Sequence, residues 1–294
     1  MTESGTAAAF TEQDVSDFFD QTMQTYLTFW DSEGVLHTGI FDGEQDEDYR
    51  AAAARTSDLI AREAGITAGA HVLDVGCGCG NFLFRLAAGT AITGTGLDLS
   101  AERIRFARGR LSELPGTSGR SGSALSFRHG SATAMPFADA TFSHVVSQDA
   151  LFLVPDKPRS HAEVLRVLEP GGIFAFSDFL QPRQQVGPRA RRHVYDRVRW
   201  SSGYSLVGYQ GALAAAGFDV LLARSLDAQL SQTYQVLGKT ALARADETSD
   251  AQARSWMLGF AESCGEIQAA IGEGEFGWGI FVARKPGPRD SEAR

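Results

Sequence analysis

Apolar residues fall in short runs separated by amphipathic stretches along most of the chain. AHVLDV (70–75) has the density of a buried strand and enters a glycine-rich turn before the helix-like NFLFRLAA (81–88). The same alternation continues through AITGTGLDL (91–99), SAERIRFARGRLSEL (100–114), SALSFRHG (123–130) and TFSHVVSQ (141–148). A helix over 156–168 stops before Pro170, Gly171 and Gly172, and GIFAFSDF (172–179) follows as a fifth strand. Five strands alternating with helices predict βαβ units and a parallel sheet. Past residue 180 the alternation loosens: an Arg-rich helix over 188–200, a helix over 206–217, the strand FDVLLA (218–223), a helical stretch over 227–272, and a last strand FGWGIFVARK (276–285). Residues 10–68 also read as helical and belong outside the sheet.

The pattern divides the chain into a helical N-terminal cap (1–68), a sheet core (69–180), a region of helices and late strands (181–285) and a short polar tail (286–294). The cap and the helical stretch 227–272 are expected over the sheet's ligand-binding edge. Both chain ends are small and polar and are expected to fray, and PGTSGRSGS (115–123) reads as a loop.

Charge narrows the function classes. With 27 Lys+Arg against 36 Asp+Glu the net charge is −9, which argues against a nucleic-acid binder. No apolar run reaches the length of a membrane span. The first 49 residues hold 12 acids and no Lys or Arg, unlike a secretory signal. Cys77, Cys79 and Cys264 imply no disulfide framework, so a reducing cytoplasm is the expected location. Cys77-x-Cys79 has no matching pair to complete a zinc site and reads as small residues packed under a turn.

The sharpest signal is VLDVGCGCGN (72–81). Asp74 closes a strand, and Gly76, Gly78 and Gly80 lead into a helix whose first amides are free donors. Asp98 ends the next strand, where an acid accepts hydrogen bonds from both hydroxyls of a ribose. The spacing is G-x-G-x-G rather than the G-x-G-x-x-G of dinucleotide sites. An acid two residues before the first glycine repels a pyrophosphate and suits a ligand bearing an ammonium group, favouring S-adenosyl-L-methionine over NAD. A binding module without catalysis and a dehydrogenase are the readings left beside it.

At these residues the chain resembles the class I S-adenosylmethionine-dependent methyltransferases. VLDVGCGCG matches their first motif, GLDLS (96–100, including Leu99) the acidic strand end, GSATAMPFADATFSHVVS (130–147) the segment after the third strand, and VLRVLEPGG (164–172) the turn before the fifth. The resemblance implies an α/β Rossmann-like fold: a seven-stranded, mostly parallel sheet whose last strand inserts antiparallel after a helical insertion. It places Cys77 with the glycines around the cofactor. One position departs from the family: the acid that takes the adenine amino group is Ser131, leaving adenine to the backbone of Ala132.

A narrower resemblance is to the glycine, sarcosine and dimethylglycine N-methyltransferases, carried by SQDALFLVPDK (147–157), TFWDSEGVLHTGIF (28–41), AARTSDLIA (53–61), VYDRVRW (194–200) and QTYQVLGK (232–239). It implies that Arg55 pairs with the cofactor carboxylate, that Arg197 binds a substrate carboxylate, and that Gln148, Asp149, Tyr209 and Tyr234 line an amine site in which Asp149 orients the acceptor. His37 either faces this site or caps a loop. Tyr26 and Trp30, one helical turn apart, are expected with Phe18 and Phe29 at the pocket mouth, where aromatic faces stabilise cations. Two family histidines are Leu153 and Thr233 here, which points toward a larger or more apolar acceptor. The expected activity is methylation of a small molecule, a carboxylate-bearing amine on nitrogen, by a monomer or homodimer. The alternative is a natural-product carbon or oxygen, including a prenyl diphosphate gripped by the arginines of 183–199.

Overall fold

The computed structural model describes residues 10–29, 31–43, 48–113 and 122–287. The expectations for 1–9, for most of the 115–123 loop, for Trp30 and for 288–294 lie outside the described residues. Seven strands form one sheet in the order β3-β2-β1-β4-β5-β7-β6. They are β1 (His71–Val75), β2 (Thr93–Asp98), β3 (Ala124–His129), β4 (Phe142–Gln148), β5 (Leu168–Leu180), β6 (Asp219–Ser225) and β7 (Gly277–Arg284). The first five pair in parallel, and β7 runs antiparallel between β5 and β6. The sheet class, strand count and inverted last strand agree with the sequence reading.

Central strands covered on both faces read as continuous apolar runs. Leu73, Val75, Val145, Phe174 and Phe176 point to one side with Leu213 and Phe218, while Val72, Val146 and Ala175 point to the other with Ile60 and Leu83. The helices on these faces are α2 (Tyr49–Glu63), α3 (Asn81–Gly89), α4 (Ala101–Glu113), α5 (Lys157–Val167) and α7 (Leu206–Ala216), with a single turn α6 (Pro188–Ala190) between the last two. Local chemistry sets several ends. Asp48 accepts from the Ala51 amide to start α2, Asp156 from Arg159 to start α5, and Gly217 closes α7 in the left-handed conformation.

Three stretches differ from the sequence reading. The cap is not continuously helical: α1 (Glu12–Phe29) and α2 flank an extended segment, 31–43, which carries His37 and Thr38 across the sheet edge. The stretch 227–272 is two helices, α8 (Asp227–Glu247) and α9 (Ala251–Gly272), because Asp250 caps the second with bonds from Gln252 and Ala253. The Arg-rich segment is one α-turn, a π-turn at 191–195 and a 3-10 turn at 196–198, ending with Arg199 at φ 60°. Trp200 then stacks on Tyr195, with ring centroids 4.3 Å apart. Stacking there takes precedence over helix propensity.

The inserted helices have their own core. Tyr195, Trp200, Leu230, Tyr234, Leu237, Cys264 and Ile267 pack with Phe276 and Trp278. This cluster forms one wall of the cleft described next.

Candidate active site

The cleft opens at the carboxyl ends of β1, β2 and β4, the expected place in an open α/β sheet. It encloses about 1630 Å³ of space between atoms, open solvent included. Gly76, Gly78 and Gly80 all have positive φ, at 73°, 52° and 81°. The amides of Gly76 and Cys77 donate to the Leu97 carbonyl at 2.7 and 3.1 Å, which ties the loop to β2. A Cβ on Gly76 would overlap Ala150, and one on Gly80 would overlap Phe127. Gly76, Cys77 and Gly78 line the cleft, whereas Gly80 serves packing behind it.

Asp98 Oδ2 accepts from the Gly78 amide at 2.7 Å and Oδ1 from the Ser100 amide at 2.8 Å. Asp98 therefore shapes the loop as well as lining the cleft beside Leu99. Asp74 is different. It is only 2% exposed and lines the cleft, and its carboxyl has no hydrogen bond among the described residues. Burial, and then the Asp98 charge, push its carboxyl up to about 8. Nearby, Gln148 accepts from Ser57 Oγ at 3.1 Å through Oε1, but its buried Nε2 has no partner among the described residues. A buried acid lacking a cation and a buried amide lacking an acceptor share one cleft. That pair fits a ligand carrying both an ammonium and a carboxylate, as the methionine end of S-adenosylmethionine does.

At the far side of Gln148 lies Asp149, held at φ 49°. Its Oδ1 accepts from Ser177 Oγ at 2.6 Å and Trp278 Nε1 at 2.7 Å, and its Oδ2 from the Thr38 amide at 2.7 Å. These donors hold a backbone conformation that a non-glycine residue rarely adopts. Trp278→Phe should therefore cost about 1–3 kcal/mol in urea-unfolding stability; an unchanged midpoint would show the bond to be dispensable.

His37 lines the same end, with Nε2 3.0 Å from the Ala53 carbonyl. A carbonyl only accepts, so Nε2 carries the proton and Nδ1 is the acceptor nitrogen of the neutral ring. Burial lowers the imidazole below its ordinary range, opposed by the Asp149 charge and the Ala53 carbonyl. Tyr26, Ala132, Tyr234 and Arg197 also line the cleft, and Arg197 Nε donates to the His193 carbonyl at 3.2 Å. Around them the wall is apolar: Phe152, Leu153, Val154, Phe179, Val198 and Leu237.

Several expected residues lie elsewhere. Tyr209 has no exposure and packs among Phe176 and Phe281, its hydroxyl donating to Asp178. Asp178 also accepts from the Phe152 amide, and Lys157 Nζ donates to the Phe152 and Val154 carbonyls. Tyr209 thus belongs to a buried network under the apolar wall of the cleft. Arg55 points away from the cleft, with Nε donating to the Ile40 carbonyl at 2.8 Å and Asp42 3.5 Å from its guanidinium. Ser131 lies behind the lining and donates to Glu12. Of the arginines in 183–199, Arg197 alone lines the cleft; Arg189 pairs with Glu266 and Glu273, Arg191 covers Tyr195 and Arg199 covers Phe10 and Phe18. The multi-arginine grip needed for a diphosphate is not assembled here. Among the described residues no group of three or more His, Cys, Asp or Glu is placed to hold a metal ion.

Glu12, Val15, Ser16 and Phe19 of α1 reach the cleft without being expected there. Ser16 Oγ donates to the Leu99 carbonyl at 3.1 Å, and the Arg103 guanidinium lies 4.0 Å from the Phe19 ring centre. The local signal for this helix was its run of aromatics, which pointed to Tyr26, where the cleft wall does include it, and to Phe18, which lies under Arg199 instead; the Phe29 side chain is outside the described residues.

A family model described as a methyltransferase domain matches residues 66–206. The chain belongs to the class I S-adenosylmethionine-dependent methyltransferases. This methyltransferase is 28% identical to an O-methyltransferase, resE, of Aspergillus sclerotiorum, over 82% of this chain and 89% of that one. It is 32% identical to a sterol 24-C-methyltransferase of Eremothecium gossypii over 60% of its own length, a match spanning 47% of the sterol protein. Its fold is similar to a structure titled as a putative sarcosine dimethylglycine methyltransferase from Galdieria sulphuraria. That likeness has a TM-score of 0.78 and 22% identity, covering 91% of this chain and 99% of that one. The names of its relatives span oxygen, carbon and nitrogen methylation, so family membership fixes a small-molecule methyltransferase and leaves the acceptor atom to the site itself.

Proposed function

We propose that this methyltransferase transfers a methyl group to a hydroxyl of a largely apolar small molecule, with His37 as the general base. The observation that carries the reading is the His37 ring, which lines the cleft: Nε2–H is fixed on the Ala53 carbonyl, leaving the lone pair of the neutral ring on Nδ1. Bound S-adenosylmethionine supplies a methyl on a positively charged sulfur. Asp74 would hold the ammonium of its methionine end, Gln148 Nε2 the carboxylate, and Asp98 the ribose. The apolar wall of Phe152, Leu153, Val154, Phe179 and Leu237 strips water from the acceptor and sets its oxygen toward the methyl. As the oxygen–carbon bond forms and the sulfur–carbon bond breaks, the hydroxyl proton passes to His37 Nδ1. The resulting imidazolium is stabilised by the nearby negative charge of Asp149. Asp149 already accepts three hydrogen bonds, so it serves as an electrostatic anchor rather than as the proton acceptor.

A second reading has one observation in its favour: Arg197 places a cation in the acceptor end of the cleft, beside Tyr234. It would pair with the carboxylate of an amine such as sarcosine or dimethylglycine. The test supplies 13C-methyl S-adenosylmethionine with hydroxylated aromatic acids and phenols in one series and sarcosine and dimethylglycine in another. Carbon NMR then assigns the methylated atom. An oxygen-bound label is the expected result, and nitrogen-bound label on sarcosine would replace the first reading with the second. For an acceptor bearing a carboxylate, Arg197→Ala should raise KM about 10-fold or more, the loss of one charge-assisted pair, with cofactor affinity unchanged. A cofactor affinity that fell in parallel would move Arg197 out of the acceptor site.

A further inference from the structure

The position after Gly130, where the family resemblance expects an acid for the adenine amino group, is Ser131. Ser131 does not face the cleft. Its hydroxyl donates to Glu12 Oε1 at 2.7 Å, and the Thr133 hydroxyl donates to the same oxygen at 3.0 Å. Glu12 lies in the first turn of α1, 119 residues away in sequence, and lines the cleft with Gly130, Ala132 and Leu99. These residues sit at the ends of β2 and β3, on the side of the glycine loop away from Gln148 and His37. Two hydroxyls fix one carboxylate oxygen, and Oε2 has no hydrogen-bond partner among the described residues. The helix is anchored at the same edge by Ser16 donating to the Leu99 carbonyl and Ser100 donating to Asp20.

We propose that Glu12 accepts the exocyclic amine of the cofactor's adenine, so that purine recognition comes from the N-terminal helix rather than from the sheet. A carboxylate only accepts, and the adenine amine only donates there, so the pairing is complementary. Hypoxanthine presents a carbonyl oxygen at that position and would be repelled. Ser131 and Thr133 then have a definite role: they orient the carboxylate. The inference rests on the cofactor lying along the glycine loop as proposed above, with adenine at the β2–β3 side.

The test is calorimetric binding of S-adenosylhomocysteine and of its deaminated analogue, S-inosylhomocysteine, to the full chain. Wild-type protein should prefer the adenine compound by about 10-fold or more, the range of a charge-assisted hydrogen bond. Glu12→Ala should remove that preference by weakening the adenine compound alone. Equal weakening of both ligands would mean that Glu12 merely docks α1, and it would overturn the proposal, as would an unchanged ratio in Glu12→Ala. Failure of the wild-type protein to bind either ligand would instead overturn the cofactor placement, and this inference with it.

Discussion

His37→Gln should lower kcat by about 100- to 10,000-fold, the usual contribution of a positioned general base, with cofactor affinity unchanged. Glutamine matches the polarity of imidazole but cannot take a proton at neutral pH. The wild-type pH profile carries a second expectation. Burial depresses the imidazole, so the neutral base is present at and below neutrality. The rate should rise with pH along an acid limb whose midpoint lies below the ordinary imidazole value of about 6.5, then level off. That limb should vanish in His37→Gln. A variant that retains wild-type kcat and the acid limb would remove His37 from the chemistry. The sign for stability follows from the same direction. A folded-state value below the unfolded one gives stability that is present at neutral pH and lost as pH falls through the folded value.

Cofactor binding should release a proton. In the unliganded protein Asp74 is pushed up to about 8, so at pH 7 it is mostly protonated. A ligand cation beside it stabilises the ionised form, and the proton leaves. Binding enthalpies measured at pH 7 in buffers of different ionisation enthalpy should therefore differ, with a slope approaching one proton released. Affinity should climb as pH rises toward 8. Asp74→Asn should abolish the buffer dependence and weaken S-adenosylmethionine by about 100-fold or more, the range seen when one member of a buried charge pair is removed. Buffer-independent enthalpy in the wild type would place the ammonium elsewhere. Stability of the unliganded protein runs the opposite way to the usual carboxylate. Its raised folded value makes folding more favourable at low pH, and that advantage fades between about 4 and 8 as the carboxyl is forced to ionise inside the fold.

The sheet was readable because its strands are short apolar runs bounded by Gly, Pro and charged turns, and because Asp74 and Asp98 sit at strand ends whatever the surroundings. Contacts that local pattern cannot encode went unread. The residues 194–200 match a family stretch, yet the Trp200–Tyr195 stack breaks the helix that their composition favours. The motif match assigned Tyr209 and Arg55 to the cleft, and neither side chain lines it. Tyr209 lies on the face of α7 that packs on the sheet, and Arg55 on the side of α2 facing Ile40 and Asp42. Glu12 was out of reach for another reason: its partners Ser131 and Thr133 lie more than a hundred residues downstream. Ser131 read alone looked like a lost acid.

The helices α8 and α9 leave the sheet after β6 and return at β7, two neighbouring antiparallel strands. Their two ends are clasped: Leu226 N donates to the Trp278 carbonyl and Trp278 N to the Asp227 carboxylate, both at 2.8 Å. An excursion that exits and re-enters at one point can change in length and content without altering strand register. It supplies Thr233, Tyr234 and Leu237 to the acceptor end, whereas the glycine loop, Asp74 and Asp98 belong to the sheet. On the proposed reading, acceptor range in this scaffold is a transplantable property. Exchanging the segment between Asp227 and Phe276 for that of a relative with a different acceptor should carry the new preference across while cofactor affinity stays that of the host.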